Sequence, residues 1–114
     1  MARRDVPQVE PEASPALFAD GALLLDVREP DEWSAGHAPD AVFVPMKEVQ
    51  ARQTELPKDR RIVTICRSGG RSAAVTEALN AWGFDSVNLA GGLYAWEAAG
   101  LPVVVDDGSP GTIA

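Results

Sequence analysis

The sequence contains one cysteine, one histidine and one tyrosine, and no apolar run approaches the roughly 20 residues that a helix needs to cross a bilayer. A single cysteine cannot form an internal disulfide, so the chain is no disulfide framework; a free thiol fits a reducing compartment, and a cytoplasmic location is expected. His37 has no second histidine or cysteine pair with which to complete a ligand set, so neither a metal nor a cofactor is expected. Positive charge is also scarce. Ten Lys and Arg stand against 17 Asp and Glu, for a net charge of -7, and they are scattered singly or in pairs instead of forming the patch that binds a phosphate backbone. Nucleic acid is therefore not an expected partner, and the negative charge serves solubility. The opening stretch MARRDVPQVEPEAS follows its arginines with acids and prolines, so no secretion signal and no membrane partner are expected.

What is present suits one domain. A chain of 114 residues, 46% hydrophobic and 24% charged, is long enough to bury roughly two thirds of its unfolded surface. ALLLDVR (22–28) and RIVTIC (61–66) are short apolar runs of the kind found in buried strands, and VPQV (6–9), AVFV (41–44) and SVNL (86–89) are shorter candidates. Between them fall helical segments. In RSAAVTEALNAW (71–82), Val75, Ala78, Leu79 and Trp82 share one face, and Gly83 follows as a C-terminal cap. Ser14 before Pro15 has the form of an N-cap and first helical residue for PALFA. EPDEWSAG and GLYAWEAAG (92–100) read as short helices, Met46 to Glu55 as an ambiguous one, and Trp33, Trp82 and Trp96 as residues packing on a sheet. Alternation of strand and helix predicts an α/β domain with about five mostly parallel strands and helices on both faces. No repeat or linker divides the chain. VVV (103–105) can open a further strand, and the residues from Asp106 onward read as a disordered tail.

The one cysteine stands at a particular place, in IVTICRSGGRS (62–72). If RIVTIC is a buried parallel strand and the segment after Arg71 a helix, CRSGGR crosses over at the carboxyl end of the sheet, where α/β proteins place ligands, with Cys66 at the mouth of a site. Gly69 and Gly70 tolerate a positive φ, the loop amides can turn inward, and the helix start adds unpaired N–H groups and the positive end of its dipole. That field, with Arg67 and Arg71 beside it, favours the thiolate, the nucleophilic form. Arg67 also suits a solvated charge, Arg71 a surface helix residue or a salt bridge to a carboxylate, and Ser68 and Ser72 either a hydrogen bond to the sulfur or a helix cap, the cap being favoured for Ser72. A thiolate in an amide cradle serves phosphoryl transfer or sulfur transfer. Cys66 to Arg71 is C-x4-R, one residue shorter than the C-x5-R loop of cysteine phosphatases, and the smaller ring suits a single sulfur atom. Sulfur transfer also asks less of a general acid, because sulfite leaves as an anion.

The chain resembles the rhodanese family of sulfurtransferases from about Pro7 to Val105. LLLDVREPDEWSAGHAPDAVFVP is similar to the family's amino-terminal signature, CRSGGRS to its active loop, and GGLYAWEAAGLPV to its carboxyl-terminal signature. The resemblance implies a single rhodanese-like domain over 1–105, followed by the tail, 106–114. It implies Cys66 as persulfide carrier, the amides of Arg67 through Arg71 as its cradle, and Asp26 and Arg28 as supports that hydrogen-bond the active loop, where an ordinary strand-end ion pair is the other reading. It implies thiosulfate or another sulfane donor as substrate, with cyanide, a small thiol or a protein thiol as acceptor. The alternatives are a persulfide relay or binding module acting with a partner protein and, with loop length against it, a phosphatase or arsenate reductase. The family's His-Ile-Pro-Gly-Ala reads HAPDA here, with Ala38 for an apolar residue and Asp40 for a turn glycine; His37 itself reads as a structural residue of that turn.

Overall fold

Strand β2, Leu23–Asp26, and strand β4, Ile62–Ile65, lie side by side at the middle of a five-stranded sheet, as their unbroken apolar runs require. The structure, a computed structural model, describes residues 5–114; residues 1–4, which open the stretch read for a secretion signal, lie outside it. The remaining strands are β1, Gln8–Val9, β3, Val42–Phe43, and β5, Ser86–Leu89. The order is β1-β5-β4-β2-β3, and every strand pair is parallel. The strands are shorter than their apolar runs: Pro7 has no N–H to give to a ladder, and Pro45 turns the chain after Val44.

Helices α1, Ser14–Ala19, α2, Pro30–Ala35, α3, Gly70–Ala81, and α4, Gly92–Ala98, connect them. The period of two along the strands divides the core in two. Leu25, Val27, Ile62 and Cys66 pack with Val75 and Leu79 of α3, while Leu24, Val63, Ile65 and Leu89 pack with Leu93 and Trp96 of α4. No described helix is long and apolar enough to cross a membrane.

Three local expectations change. Ser14 is not an N-cap: a 3-10 turn, Pro11–Ala13, precedes α1, and the Ser14 hydroxyl donates back to the Pro11 carbonyl at 2.7 Å. The Met46 to Glu55 segment forms two 3-10 turns, Met46–Glu48 and Gln53–Glu55, instead of one helix. The tail is not loose. Pro110 pairs antiparallel with Val104, the Gly111 N–H donates to the Val103 carbonyl and the Thr112 N–H to the Ala35 carbonyl, both at 2.9 Å, and Ile113 packs against the α4 side of the core. The turn-forming composition of DDGSPG here makes a reversal that returns the chain to α2.

Candidate functional site at the β4–α3 loop

From β2 the chain steps outward to β3, crosses back to β4 and continues the other way to β5, so the crossovers diverge between β2 and β4. Clefts of open α/β sheets form at such a switch point, outside the carboxyl ends of the strands. Cys66 follows directly after β4 at this point and is a free thiol, 1% exposed. It therefore lies beneath the rim and not at the open mouth expected from the sequence.

The loop owes its shape to two glycines and to α4. Gly69 has φ +109 and serves as the N-cap of α3, which turns its N–H onto Cys66 Sγ at 3.1 Å. The Ser72 N–H follows at 3.4 Å and the Ser72 hydroxyl at 3.3 Å. Behind the loop, the N–H groups of Leu93 and Tyr94 bind the carbonyls of Cys66 and Arg67 at 2.8 and 3.2 Å, drawing the loop oxygens away from the sulfur. A Cβ on Gly92 would stand 2.5 Å from the Cys66 oxygen, which is why the chain approaches there through a glycine. Gly70 is the first residue of α3 and does not take a positive φ, so only one of the two loop glycines makes the left-handed turn. Ser72 sits inside α3 and does not cap it; of its two readings, the hydrogen bond to the sulfur is the one it makes.

Around the rim, Arg67, Ser68, Gly70 and Arg71 face Glu29 and Glu32 across a cleft of about 540 Å³. Arg67 and Ser68 are exposed. Arg71 makes the salt bridge that was one of its readings: its guanidinium grips both oxygens of Glu32 at 2.7 and 2.8 Å. Those hydrogen bonds hold the Glu32 carboxyl down at about 2, against an ordinary 4.5; burial opposes the shift, and the Glu29 N–H and the charges of Arg71 and Arg28 add to it. Arg71 is raised in turn, first by Glu32 and in smaller part by the charges of Cys66 and Asp26.

Asp26 and Arg28 are both fully buried and paired, with the Arg28 Nη2 2.8 Å from the Asp26 carboxylate and the Arg28 Nε at 3.0 Å. The expectation that they hydrogen-bond the active loop is corrected. The other Arg28 N–H groups donate to the carbonyls of Glu32 and Gly36 at the end of α2. A cation is favoured at that end of a helix. The brace is indirect: the ion pair fixes α2, and α2 carries Glu32 to Arg71.

The sequence reading missed Glu32 and a buried polar cluster on the α3 side of the sheet. Thr64, Ser72, Thr76, Ser86 and Asn88 are all buried, and Ser72 and Asn88 connect the cluster to Cys66. A signal existed, because Thr64 is two residues before Cys66 on the same face of β4, and Ser72 and Thr76 are one helical turn apart. His37 is remote from this chemistry: it stacks on Trp33 with centroids 3.6 Å apart and meets Ala38 O and Asp106. Asp40, in the place of the expected turn glycine, takes φ +63, so the turn keeps its left-handed conformation without glycine.

Residues 11–99 match the family model described as the rhodanese-like domain. The chain belongs to the rhodanese-like domain family. A protein of Allochromatium vinosum named sulfurtransferase is 41% identical over 106 residues, covering 90% of this chain and 99% of its own. The thiosulfate sulfurtransferase GlpE of Pseudomonas syringae is 31% identical, covering 78% of this rhodanese-like domain chain and 85% of its own. The crystal structure of a rhodanese-related protein from Thermoplasma volcanium superimposes with a TM-score of 0.82 at 30% identity, covering 88% of this chain and 99% of that one.

Proposed function

We propose that this rhodanese-like domain is a sulfurtransferase in which Cys66 carries the sulfur as a persulfide, with thiosulfate or a related sulfane compound as donor. The observation that carries the reading is the convergence of the Gly69 N–H, the Ser72 N–H and the Ser72 hydroxyl on the sulfur of the one cysteine, at the start of a twelve-residue helix. Names of relatives, among them sulfurtransferase and thiosulfate sulfurtransferase, support the same class.

In the proposed reaction the Cys66 thiolate attacks the outer sulfur of thiosulfate. A bond forms between the two sulfurs, the sulfur–sulfur bond of thiosulfate breaks, and sulfite leaves with the electron pair. Cyanide, a small thiol or a protein thiol then attacks the outer persulfide sulfur and returns the Cys66 thiolate. The first amides of α3 lack partners within the helix, so those of Gly70 and Arg71 are available to the added sulfur, beside the groups already on Sγ. Arg67 supplies an exposed positive charge at the rim for an anionic donor, and Ser68 lines the same cleft. Arg71, held by Glu32, keeps its charge near the sulfur without being free to follow the leaving group. A free thiol at the reaction centre suits a reducing compartment, and the cytoplasm is the proposed location.

A relay between partner proteins is the second reading, favoured by the burial of Cys66, which leaves 1% of the residue exposed to a free small donor. Thiocyanate formation by the purified chain from thiosulfate and cyanide separates the two. Sustained turnover that disappears in Cys66→Ser supports the enzyme. No turnover, with sulfur accepted only from a persulfidated protein, replaces it with the relay.

A further inference from the structure

The sulfur touches a hydroxyl that has one proton and three acceptors. The Ser72 Oγ lies 3.3 Å from Cys66 Sγ, 3.3 Å from the Gly69 carbonyl and 2.5 Å from Asn88 Oδ1. The Asn88 amide is oriented by its other end, where Nδ2 faces the Gly69 carbonyl at 3.2 Å and Gln8 Oε1 at 3.3 Å, both acceptors. Asn88 Oδ1 therefore competes with the sulfur for the Ser72 proton and, being closest, holds it while Cys66 is a neutral thiol. A thiolate needs that proton, and giving it up leaves a buried amide oxygen without a donor, which is costly in a dry interior.

Thr64 can supply the replacement. It is the register partner of Asn88 across β4 and β5, and its Oγ1 lies 3.4 Å from Asn88 Oδ1. The same Oγ1 lies 3.0 Å from the Ser72 carbonyl and 2.7 Å from Thr76 Oγ1, which in turn meets Ser86 Oγ at 3.1 Å. All of these side chains are buried.

We propose that Thr64 and Asn88 are positioning residues that gate the ionisation of Cys66 through the rotation of hydroxyl protons. With a neutral thiol, Ser72 donates to Asn88 and Thr64 to the Ser72 carbonyl. With a thiolate, Ser72 turns its proton to the sulfur, Thr64 turns its proton to Asn88, and Thr76 is placed to donate to Thr64. The one covalent bond that breaks is the Cys66 S–H, whose proton leaves to the solvent base; no heavy atom moves, and Asn88 Oδ1 keeps a donor in both states, Ser72 in the first and Thr64 in the second. The charged groups around the site are Arg67 in the loop, Arg71 on α3 with Glu32 of α2 on it, Glu29 and Asp31 across the cleft, and the Asp26–Arg28 pair at the end of β2. None of them takes part in the rotation. The proposal rests on Cys66 being the reactive thiol, and its test reads ionisation without requiring sulfur transfer, so the two can fail separately.

The test is the pH profile of iodoacetamide alkylation at Cys66 in the full chain. Thr64→Val keeps the shape and the β-branched strand side chain but removes the replacement donor. The midpoint is expected to rise by about one pH unit, the size of one hydrogen bond to a charged group, with a roughly tenfold slower reaction below it. Thr64→Ser should restore the parent profile. Ser72→Ala should raise the midpoint alone, and adding Thr64→Val to it should change nothing further, because Thr64 acts only through the Ser72 proton. A folded Thr64→Val protein with the parent midpoint, or a Thr64 effect that persists in full without the Ser72 hydroxyl, overturns the proposal. If Thr64→Val does not fold, Asn88→Ala is read instead: with the competing acceptor gone the midpoint should fall, and an unchanged or raised midpoint overturns it equally.

Discussion

Gly69 and Gly70 are adjacent in the sequence and do different work. Gly69 needs its left-handed φ to aim its N–H at Sγ, whereas Gly70 has helical geometry and open space where a Cβ would go. Gly69→Ala should cost on the order of 1–2 kcal/mol and slow the reactions of Cys66, while Gly70→Ala should stay within about 0.5 kcal/mol of the parent. Thermal unfolding and alkylation rates of the two variants, side by side, check this. Asp40 carries the same kind of strain at φ +63, so Asp40→Gly should leave stability unchanged or raise it by up to about 1 kcal/mol. The sequence marks the glycine pair but not which member turns, because that depends on the residue at which α3 begins. It also marks Cys66 directly, through the loop chemistry gathered around it in six neighbouring positions.

At the scale of elements, α2 joins the buried ion pair to the active loop. Its Glu32 is held at about 2 against 4.5 by Arg71. The unfolded chain thus takes up that proton first, so the contribution is complete above about pH 4.5 and is lost as the pH falls toward 2. With Arg71 about a third exposed, the contribution is on the order of 1–2 kcal/mol. Urea denaturation should show Glu32→Gln less stable than the parent at neutral pH by that amount, with the difference vanishing near pH 2; a difference that persists there would mean Glu32 acts by packing alone. Arg28→Met, which strands the buried Asp26 carboxylate, should cost about 3–5 kcal/mol, and the double variant Asp26→Leu with Arg28→Met should recover much of it. The sequence offers an Asp26–Arg28 ion pair and a carboxylate partner for Arg71, but which residue that partner is stays hidden for a physical reason. Apolar period and turn residues are local signals and disclose the strands and helices, whereas the Glu32–Arg71 and Thr64–Asn88 pairings arise from strand order and register, which join residues distant in the chain.

For the whole molecule, the return of residues 106–114 to α2 predicts that truncation after Val105 lowers the thermal midpoint by several degrees, as the loss of about 1 kcal/mol does in a domain of this size. An unchanged midpoint would restore the loose tail that composition alone suggested. The tail's turn residues are plain in the sequence, but its anchors are the backbone carbonyls of Ala35 and Val103, and an edge of backbone leaves no mark in residue type. The alternation of strands and helices, by contrast, fixes the layers and puts the β4–α3 loop at the carboxyl edge of the sheet, where Cys66 is proposed to carry the sulfur. Intact-mass measurement after brief thiosulfate treatment tests that claim most directly. One added sulfur atom is expected, mapped to Cys66, removed by cyanide or dithiothreitol and absent in Cys66→Ser; an adduct that persists in the serine variant, or a parent chain that takes up no sulfur from thiosulfate, rules out Cys66 as the carrier.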